Sequence, residues 1–219
     1  MKLLVGCECS GIVREAFRKR GWDAWSCDIL PSEIPGQHIQ GHLEDLIGSG
    51  EEWDLIIAHP PCTYTCVSGI HWNGRRPGRE NKTVSSVYFA NMIWQRKCPR
   101  ICIEQPISIL SRNPTEDMPY LGEPSQYIQP YDFGEDASKK TSLWLKGLPL
   151  LVPTKHIPGR VVVLPGGKQV FRWSNQTDGG QNKLPPSEHR AADRARTYQG
   201  IGEAMAEQWG QYDPAHFLM

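Results

Sequence analysis

Short apolar runs, each stopped by a glycine, a proline or an acid, recur through the first half of the chain with helix-spaced segments between them. Residues 2 to 5 (KLLV) end at Gly6, and Asp23 to Cys27 (DAWSC) end at Asp28. Leu55 to Ala58, inside WDLIIAHPPC, are stopped by Pro60 and Pro61, neither of which can donate to a ladder. Arg100 to Glu104 (RICIE) form the next run, broken by Pro106. Between the first two, Ile12, Val13, Ala16 and Phe17 recur at helical spacing until Gly21 stops them. A second helix is expected from about Ser85 to Lys97, and the polar, Gly- and Arg-rich stretch 66 to 83 reads as a long mobile loop. Alternation of this kind selects an α/β fold with a mostly parallel central sheet, whose ligands sit at the carboxyl ends of the strands. Gly6 to Gly11, Asp28, Pro60 to Cys62 and Glu104 all lie just past an expected strand, so they are expected to line one crevice.

The second half is less regular. A Val-rich run at 160 to 164, a Gly-Gly turn and a second run at 169 to 173 predict a β-hairpin. Arg190 to Trp209 read as one or two helices broken at Gly200 and Gly202. A length of 219 residues suits one domain with a small insertion, here residues 1–152 plus 188–219 with 153–187 inserted. No apolar run approaches the roughly 18 to 20 residues a spanning helix needs. The opening MKLLVGCECSG meets glycine and glutamate too early for a secretory signal, so a cytoplasmic protein is expected. Seven cysteines argue against a disulfide framework, and the pairs Cys7/Cys9, Cys62/Cys66 and Cys98/Cys102 lack the two-residue gap of a zinc knuckle, so no metal is expected. Lys plus Arg equals Asp plus Glu, so any nucleic-acid surface must be local. Candidate patches are Arg75, Arg76 and Arg79; Lys139 and Lys140; and Arg190, Arg194 and Arg196, each of which also reads as ordinary surface charge.

Four features carry chemistry. VGCECSG is a glycine turn after the first strand, where a helix N-terminus can approach a ligand; it is not GxGxxG, and an ordinary strand-to-helix turn looks the same. Asp28, about twenty residues on, is placed to accept from ribose hydroxyls or to cap a helix. Cys62 ends a rigid Pro-Pro turn, either as a nucleophile facing the crevice or as a buried structural thiol. Glu104 ends the neighbouring strand, either as a crevice acid or as a surface ion-pair partner.

In this order the motifs resemble those of the cytosine-5 DNA methyltransferases, most closely a compact, phage-type branch. VGCECSGIVREAF is similar to the family's cofactor turn, SCDILP to its ribose-binding acid and AHPPCTYTCVSG to its Pro-Cys loop. IEQP resembles the catalytic-acid motif, KKTSLWLKGLPLLVPT the basic motif after it, and TYQGIGEAMAEQWG the closing helix. The resemblance implies a Rossmann-like S-adenosylmethionine-dependent fold, with the small hairpin in place of a full target-recognition domain. It implies S-adenosylmethionine as cofactor and DNA, double-stranded with the target base flipped, as partner, with no membrane. Cys62, Glu104 and Lys140 would be catalytic. Gly6, Cys9, Ser10, Gly11, Ile12, Asp28, Ile29, Asp45, Pro60, Glu203 and Ala204 would hold the cofactor. Pro61, Thr63, Ser68, Trp72, Arg75, Arg76, Arg79 and Lys139 would meet the substrate, with Trp72 or His71 placed to fill the gap left by the base. Cys62 would attack carbon 6 of cytosine while Glu104 protonates the ring nitrogen.

The chain departs from the family pattern at several places. Val13 stands where a second glycine is frequent, Gln105 where Asn is, and Glu203 near an expected Asn. Lys139 and Lys140 replace a Gln-x-Arg-x-Arg motif, and His42 falls near an expected acid, which leaves Asp45 for adenine or ribose. Only residues 155 to 196 separate the basic motif from the closing helix, so sequence specificity is expected to be short or loose. Two other readings stand beside this one. The first is an enzyme acting on free pyrimidine nucleotides or transferring a modified group from an altered cofactor. The second is a silent nucleic-acid-binding module on the same fold.

Overall fold

The computed structural model describes residues 1–112, 121–184 and 196–211. Five strands run parallel: β1 (Lys2–Gly6), β2 (Asp23–Asp28), β3 (His38–Gln40), β4 (Leu55–Ala58) and β5 (Ile101–Pro106). With β6 (Gln126–Ile128) and β7 (Thr141–Lys146) they form one sheet in the order β3-β2-β1-β4-β5-β7-β6, in which β7 runs antiparallel to both its neighbours. The fold is therefore Rossmann-like. Successive strands step outward one way from β1 and the other way from β4, and a crevice opens at the carboxyl ends where the order reverses.

Near-continuous apolar runs fit because both faces of the sheet are covered. Leu3, Val5, Leu55 and Ile57 face one core with Val13 and Phe17 of α1 (Ile12–Arg18). Leu4, Ile56 and Ile101 face the other with Val87 and Ile93, and α2 (Leu43–Gly48) adds Leu43 and Ile47 to it. Alternate residues of one strand thus enter opposite layers.

Three expectations change. Residues 66 to 83 are not an open loop: α3 (Val67–Ile70) forms, and the next helix, α4 (Arg79–Trp94), begins well before Ser85. The polar side chains that suggested a loop are spent inside it. Arg79 donates to the carbonyls of Thr63 (2.7 Å) and Gly69 (3.1 Å), Thr83 Oγ1 donates to Tyr64 O (3.0 Å), and Asn73 Nδ2 donates to Thr83 Oγ1 (2.9 Å). Nor do Gly200 and Gly202 break the closing helix α5 (Gln199–Gly210). They let it pass close by, since a Cβ at Gly200 would lie 1.8 Å from Phe133 O, and one at Gly202 would lie 3.1 Å from Ile12. Finally KKTSLWLKG, read as a basic motif, contains β7, which pairs along the whole of β5. Residues 190 to 195 of the expected closing helix lie outside the described residues.

The hairpin forms as expected from β8 (Arg160–Val163) and β9 (Gln169–Arg172), a two-stranded sheet apart from the main one. Beside it, Trp173 stacks on Tyr131 with ring centroids 4.0 Å apart, and its Nε1 donates to Ile157 O at 2.9 Å.

Candidate active site

The glycine turn is held from within. Cys7 takes a left-handed backbone (φ 58), rare for a residue with a side chain, and Gly11 (φ 72) closes the turn ahead of α1. Glu8 folds back over the helix start: Oε1 accepts from Val13 N (2.7 Å) and Ser10 Oγ (3.3 Å), and Oε2 from Arg14 N (3.3 Å). These are the amides a helix N-terminus leaves unpaired. Burial pushes the Glu8 carboxyl above the usual range, against the pull of His59, those amides and Arg14. Arg14 is fully buried, and its guanidinium donates to Ser26 Oγ, Ser32 Oγ, Ile34 O and Pro35 O, tying the loop after β2 to the turn.

Asp28 ends β2 with Oδ1 accepting from Leu30 N at 2.9 Å, and Oδ2 has no partner among the described residues. Beside it Ile29 and Leu30 are 62% and 50% exposed. A free carboxylate oxygen beside an exposed apolar pair suits the hydroxyls and base of a nucleoside, so the residues present fit S-adenosylmethionine. Cys9 and Ile12 are half-buried along the same turn, Ser10 is buried and bonds Ile12 N, and Asp45 is exposed in the first turn of α2, past the end of β3. Two residues expected there are elsewhere. Glu203 pairs with Arg20 (2.8 Å) and bonds Gln199, and Arg20 holds its carboxyl below the usual range. Ala204 is buried in the core with Phe17 and Trp209. Both sit where α5 packs along α1: the Glu203 carboxylate reaches Arg20 just past the end of that helix, and Ala204 packs into the core.

On the other side of the crevice the Pro-Pro-Cys loop is pinned to β5. His59 N donates to Gly6 O (2.9 Å), joining the ends of β4 and β1. Gln105 Nε2 donates to Pro60 O (2.9 Å) while its Oε1 accepts from Thr65 Oγ1 (3.0 Å). Ile107 O accepts from Val67 N (3.0 Å), and Ile109 N donates to Thr65 O (2.9 Å). Cys62 O accepts from Cys66 N (2.9 Å), so the thiols at 62 and 66 stand on one face of a helical turn.

Glu104 Oε2 lies 2.7 Å from His59 Nδ1, with the two side chains 9% and 8% exposed. Burial pushes the Glu104 carboxyl up, but Lys139 and His59 outweigh it and hold the group below its usual range. The Cys62 thiol is pushed well up by its hydrogen bond with Cys66, then by burial and the Glu104 charge, with Lys139 pulling the other way. At rest the sulfur keeps its proton and the carboxylate is ionised. The Glu104 charge acts on the Cys62 thiol and Lys139 acts on both, which groups the three residues at one end of the sheet.

Lys140 is not part of that site. Its ammonium lies 4.2 Å from the centre of the exposed Tyr127 ring, while the charge of Lys139, one residue earlier, acts on Glu104. Lys139 and Lys140 directly precede β7, where successive side chains point to opposite sides. Pro60 is buried under the loop, and Pro61, Thr63 and Ser68 lie exposed around Cys62, with Ser68 Oγ 3.3 Å from Cys66 Sγ. Arg75 and Arg76 are exposed, Arg76 stacking over Trp72 at 4.4 Å, whereas Arg79 is committed to backbone carbonyls. Arg196 pairs with Glu33 at 2.7 Å, and Arg190 and Arg194 lie outside the described residues. The sequence reading missed Glu8, Arg14 and His59, and had Gln105 only as a departure within the IEQP motif. Only His59, an imidazole next to Pro-Pro at a strand end, offered a local signal.

Among the described residues no three His, Cys, Asp or Glu side chains gather as a metal site, and no helix is long and apolar enough to cross a membrane. No family model and no curated protein matches the sequence. Among solved structures, a candidate DNA modification methyltransferase encoded within a prophage of E. coli matches at 12% identity and a TM-score of 0.44, over 73% of this chain and 52% of its own. WbdD, crystallised with a kinase inhibitor, matches at 12% identity and a TM-score of 0.36, over 80% of this chain and 42% of its own. The chain thus spans about half the length of these structures or less. Likenesses this loose carry nothing about activity, which is read from this chain's own side chains.

Proposed function

We propose that this chain transfers a methyl group from S-adenosylmethionine to carbon 5 of a cytosine in DNA, through a covalent adduct on Cys62. The observation that carries the reading is the shared site: a protonated thiol and an ionised carboxylate, each acted on by Lys139's charge, at the same sheet edge as the Asp28 carboxylate and the exposed Ile29 and Leu30. Methyl transfer to carbon 5 needs such a set, because carbon 5 of cytosine is not nucleophilic until a nucleophile adds at carbon 6 and the ring nitrogen gains a proton. The resting protonation states supply both. The proton leaves the Cys62 sulfur and reaches the ring nitrogen by way of Glu104, so no charge is stranded in the site. Cys62 then departs once a base has removed the hydrogen from carbon 5.

Gly6, the turn through Ile12, Asp28, Ile29 and Asp45 would hold S-adenosylmethionine, which when bound supplies an electrophilic methyl group. Gln105 keeps the Pro60 to Cys62 backbone fixed against β5, and Lys139 offsets the carboxylate charge. Reaching carbon 6 in a duplex requires the base to leave the stack at a cost of a few kcal/mol. Arg75, Arg76 and Trp72, exposed beside the Cys62 loop, are placed to contact the backbone and the gap. Residues 153–187 serve as a reduced target-recognition region, with Arg160 and Arg172 cross-strand partners on the hairpin.

A second substrate, the free pyrimidine nucleotide, is favoured by the balanced charge and by Arg79 facing inward. The test is to incubate the protein with labelled S-adenosylmethionine and either duplex DNA or dCMP, and to follow 5-methylcytosine by mass spectrometry. Label in DNA supports the reading; label only in the mononucleotide rejects DNA as substrate; label in neither rejects the activity.

A further inference from the structure

We propose that His59 is the positioning residue of the substrate acid and shares its proton, so that His59 and Glu104 act on the base as one unit. The inference rests on the reading of Glu104 given above.

His59 stands between the two halves of the crevice. Its backbone is bonded to the end of β1, and its Nδ1 holds Oε2 of Glu104 at the end of β5. Because Glu104 is ionised, Nδ1 is the donor. Oε1 of Glu104 has no partner among the described residues, so fixing one oxygen leaves the other for a ligand. Nε2 of His59 is buried and has no hydrogen-bond partner among the described residues. Buried polar atoms without partners are rare and cluster where a group is used. If His59 served packing alone, an apolar side chain would fill the place without leaving that nitrogen bare. The charged and titratable groups around the ring come from every element that meets here. They are Glu8 from the turn after β1 and Glu104 from β5, with Cys62 from the loop after β4 and Lys139 ahead of β7 linked to the ring through Glu104.

The step balances within the site. The proton on the Cys62 sulfur passes to the His59–Glu104 pair as the sulfur–carbon 6 bond forms. The carbon 5–carbon 6 electron pair is freed for carbon 5, and the pair passes the proton to the ring nitrogen. When the sulfur leaves, its bonding electrons go with it, and the ring nitrogen returns the proton through the same pair. The hydrogen removed from carbon 5 is released to solvent. A pair that already carries an extra proton cannot accept the one from sulfur, so turnover falls as pH drops through the pair's upper titration.

The test compares His59→Asn and His59→Leu with the wild type. Asn keeps a donor for Glu104 but cannot titrate, and Leu keeps neither. In single-turnover methylation against pH, we expect His59→Asn to retain part of the rate with its acid limb moved down by about one pH unit or more, because a carboxyl alone titrates lower than a pair containing an imidazole. His59→Leu loses about 10- to 100-fold more. An acid limb unmoved in His59→Asn overturns the proposal. A second reading needs no turnover: the 15N shifts of the His59 ring in the free protein are followed against pH, and Glu104→Gln lowers the His59 midpoint. An unmoved midpoint overturns the shared proton. If the wild type methylates neither substrate, the proposed activity fails, and the ring titration still decides whether the pair exists.

Discussion

Two buried acids stand at the carboxyl ends of the sheet on either side of His59, and their environments push them in opposite directions. Glu8, under the turn after β1, is bonded to backbone amides and a hydroxyl, and burial wins: its carboxyl is raised. Glu104, at the end of β5, is as deeply buried, but Lys139 and the His59 hydrogen bond win: its carboxyl is lowered. His59 acts on both, and each has a second cation; the difference is that Lys139 gives the strongest pull on Glu104, whereas Arg14 gives the weakest on Glu8. Amide dipoles suffice to anchor a turn, whereas a group that must stay ionised in a dry crevice needs a full opposite charge nearby. The corner proposed for the cofactor is thus built for geometry and the corner proposed for the substrate for charge.

Changes at the substrate corner carry the largest expected effects. Glu104→Gln keeps the shape and the hydrogen bond to His59 but removes the charge, and turnover falls about 100- to 10,000-fold while substrate binding persists. Unchanged turnover removes Glu104 from the mechanism. Next, Lys139→Gln lets the Glu104 carboxyl rise and slows methylation about tenfold or more at neutral pH, whereas Lys140→Gln, on the Tyr127 side, leaves the rate within about twofold. Equal effects of the two would contradict the placement of the lysines.

The cofactor corner responds in stability instead. Glu8→Ala leaves Val13 N and Arg14 N without their acceptor, with an expected cost of about 1 kcal/mol by denaturant unfolding. The two acids then give opposite pH dependences. A raised folded pKa contributes stability that is fully present below the unfolded value and is lost as pH rises through the folded one, so Glu8→Gln gains on the wild type as pH increases. A lowered folded pKa contributes stability present above the unfolded value and lost as pH falls through the folded one, so Glu104→Gln costs most near neutrality and least in acid. Unfolding curves at several pH values check both signs. The smallest effect is expected at the rim: Arg76→Ala weakens DNA binding uniformly across sequences and lowers its salt slope by about one.

Much of this was legible in the sequence because it depends on local pattern. The runs at Leu3, Ala24, Ile56 and Ile103, with their stops at Gly6, Asp28, Pro60 and Pro106, placed β1, β2, β4 and β5 and so aligned Gly6, Asp28, Cys62 and Glu104 along one edge. What was not legible depends on partners distant in the chain. Arg79 reads as a free surface cation until Thr63 O and Gly69 O are seen to accept from it. Gly200 reads as a helix breaker until Phe133 O is found against it. Lys139 and Lys140 are indistinguishable as neighbours in sequence, and only the direction of the chain entering β7 separates them. β3 and β6, at three residues each, are too short to show a period.

The central claim is that the Cys62 sulfur and the Glu104 carboxylate work on the same pyrimidine. Duplex DNA carrying 5-fluorocytosine, whose fluorine cannot be removed by a base, tests it most directly when incubated with the protein and S-adenosylmethionine. A covalent protein–DNA adduct that maps to Cys62 by mass spectrometry, is lost in Cys62→Ala and is strongly reduced in Glu104→Gln is the predicted result. A protein that binds the methyl donor yet forms no adduct, or an adduct that survives Cys62→Ala, would contradict it.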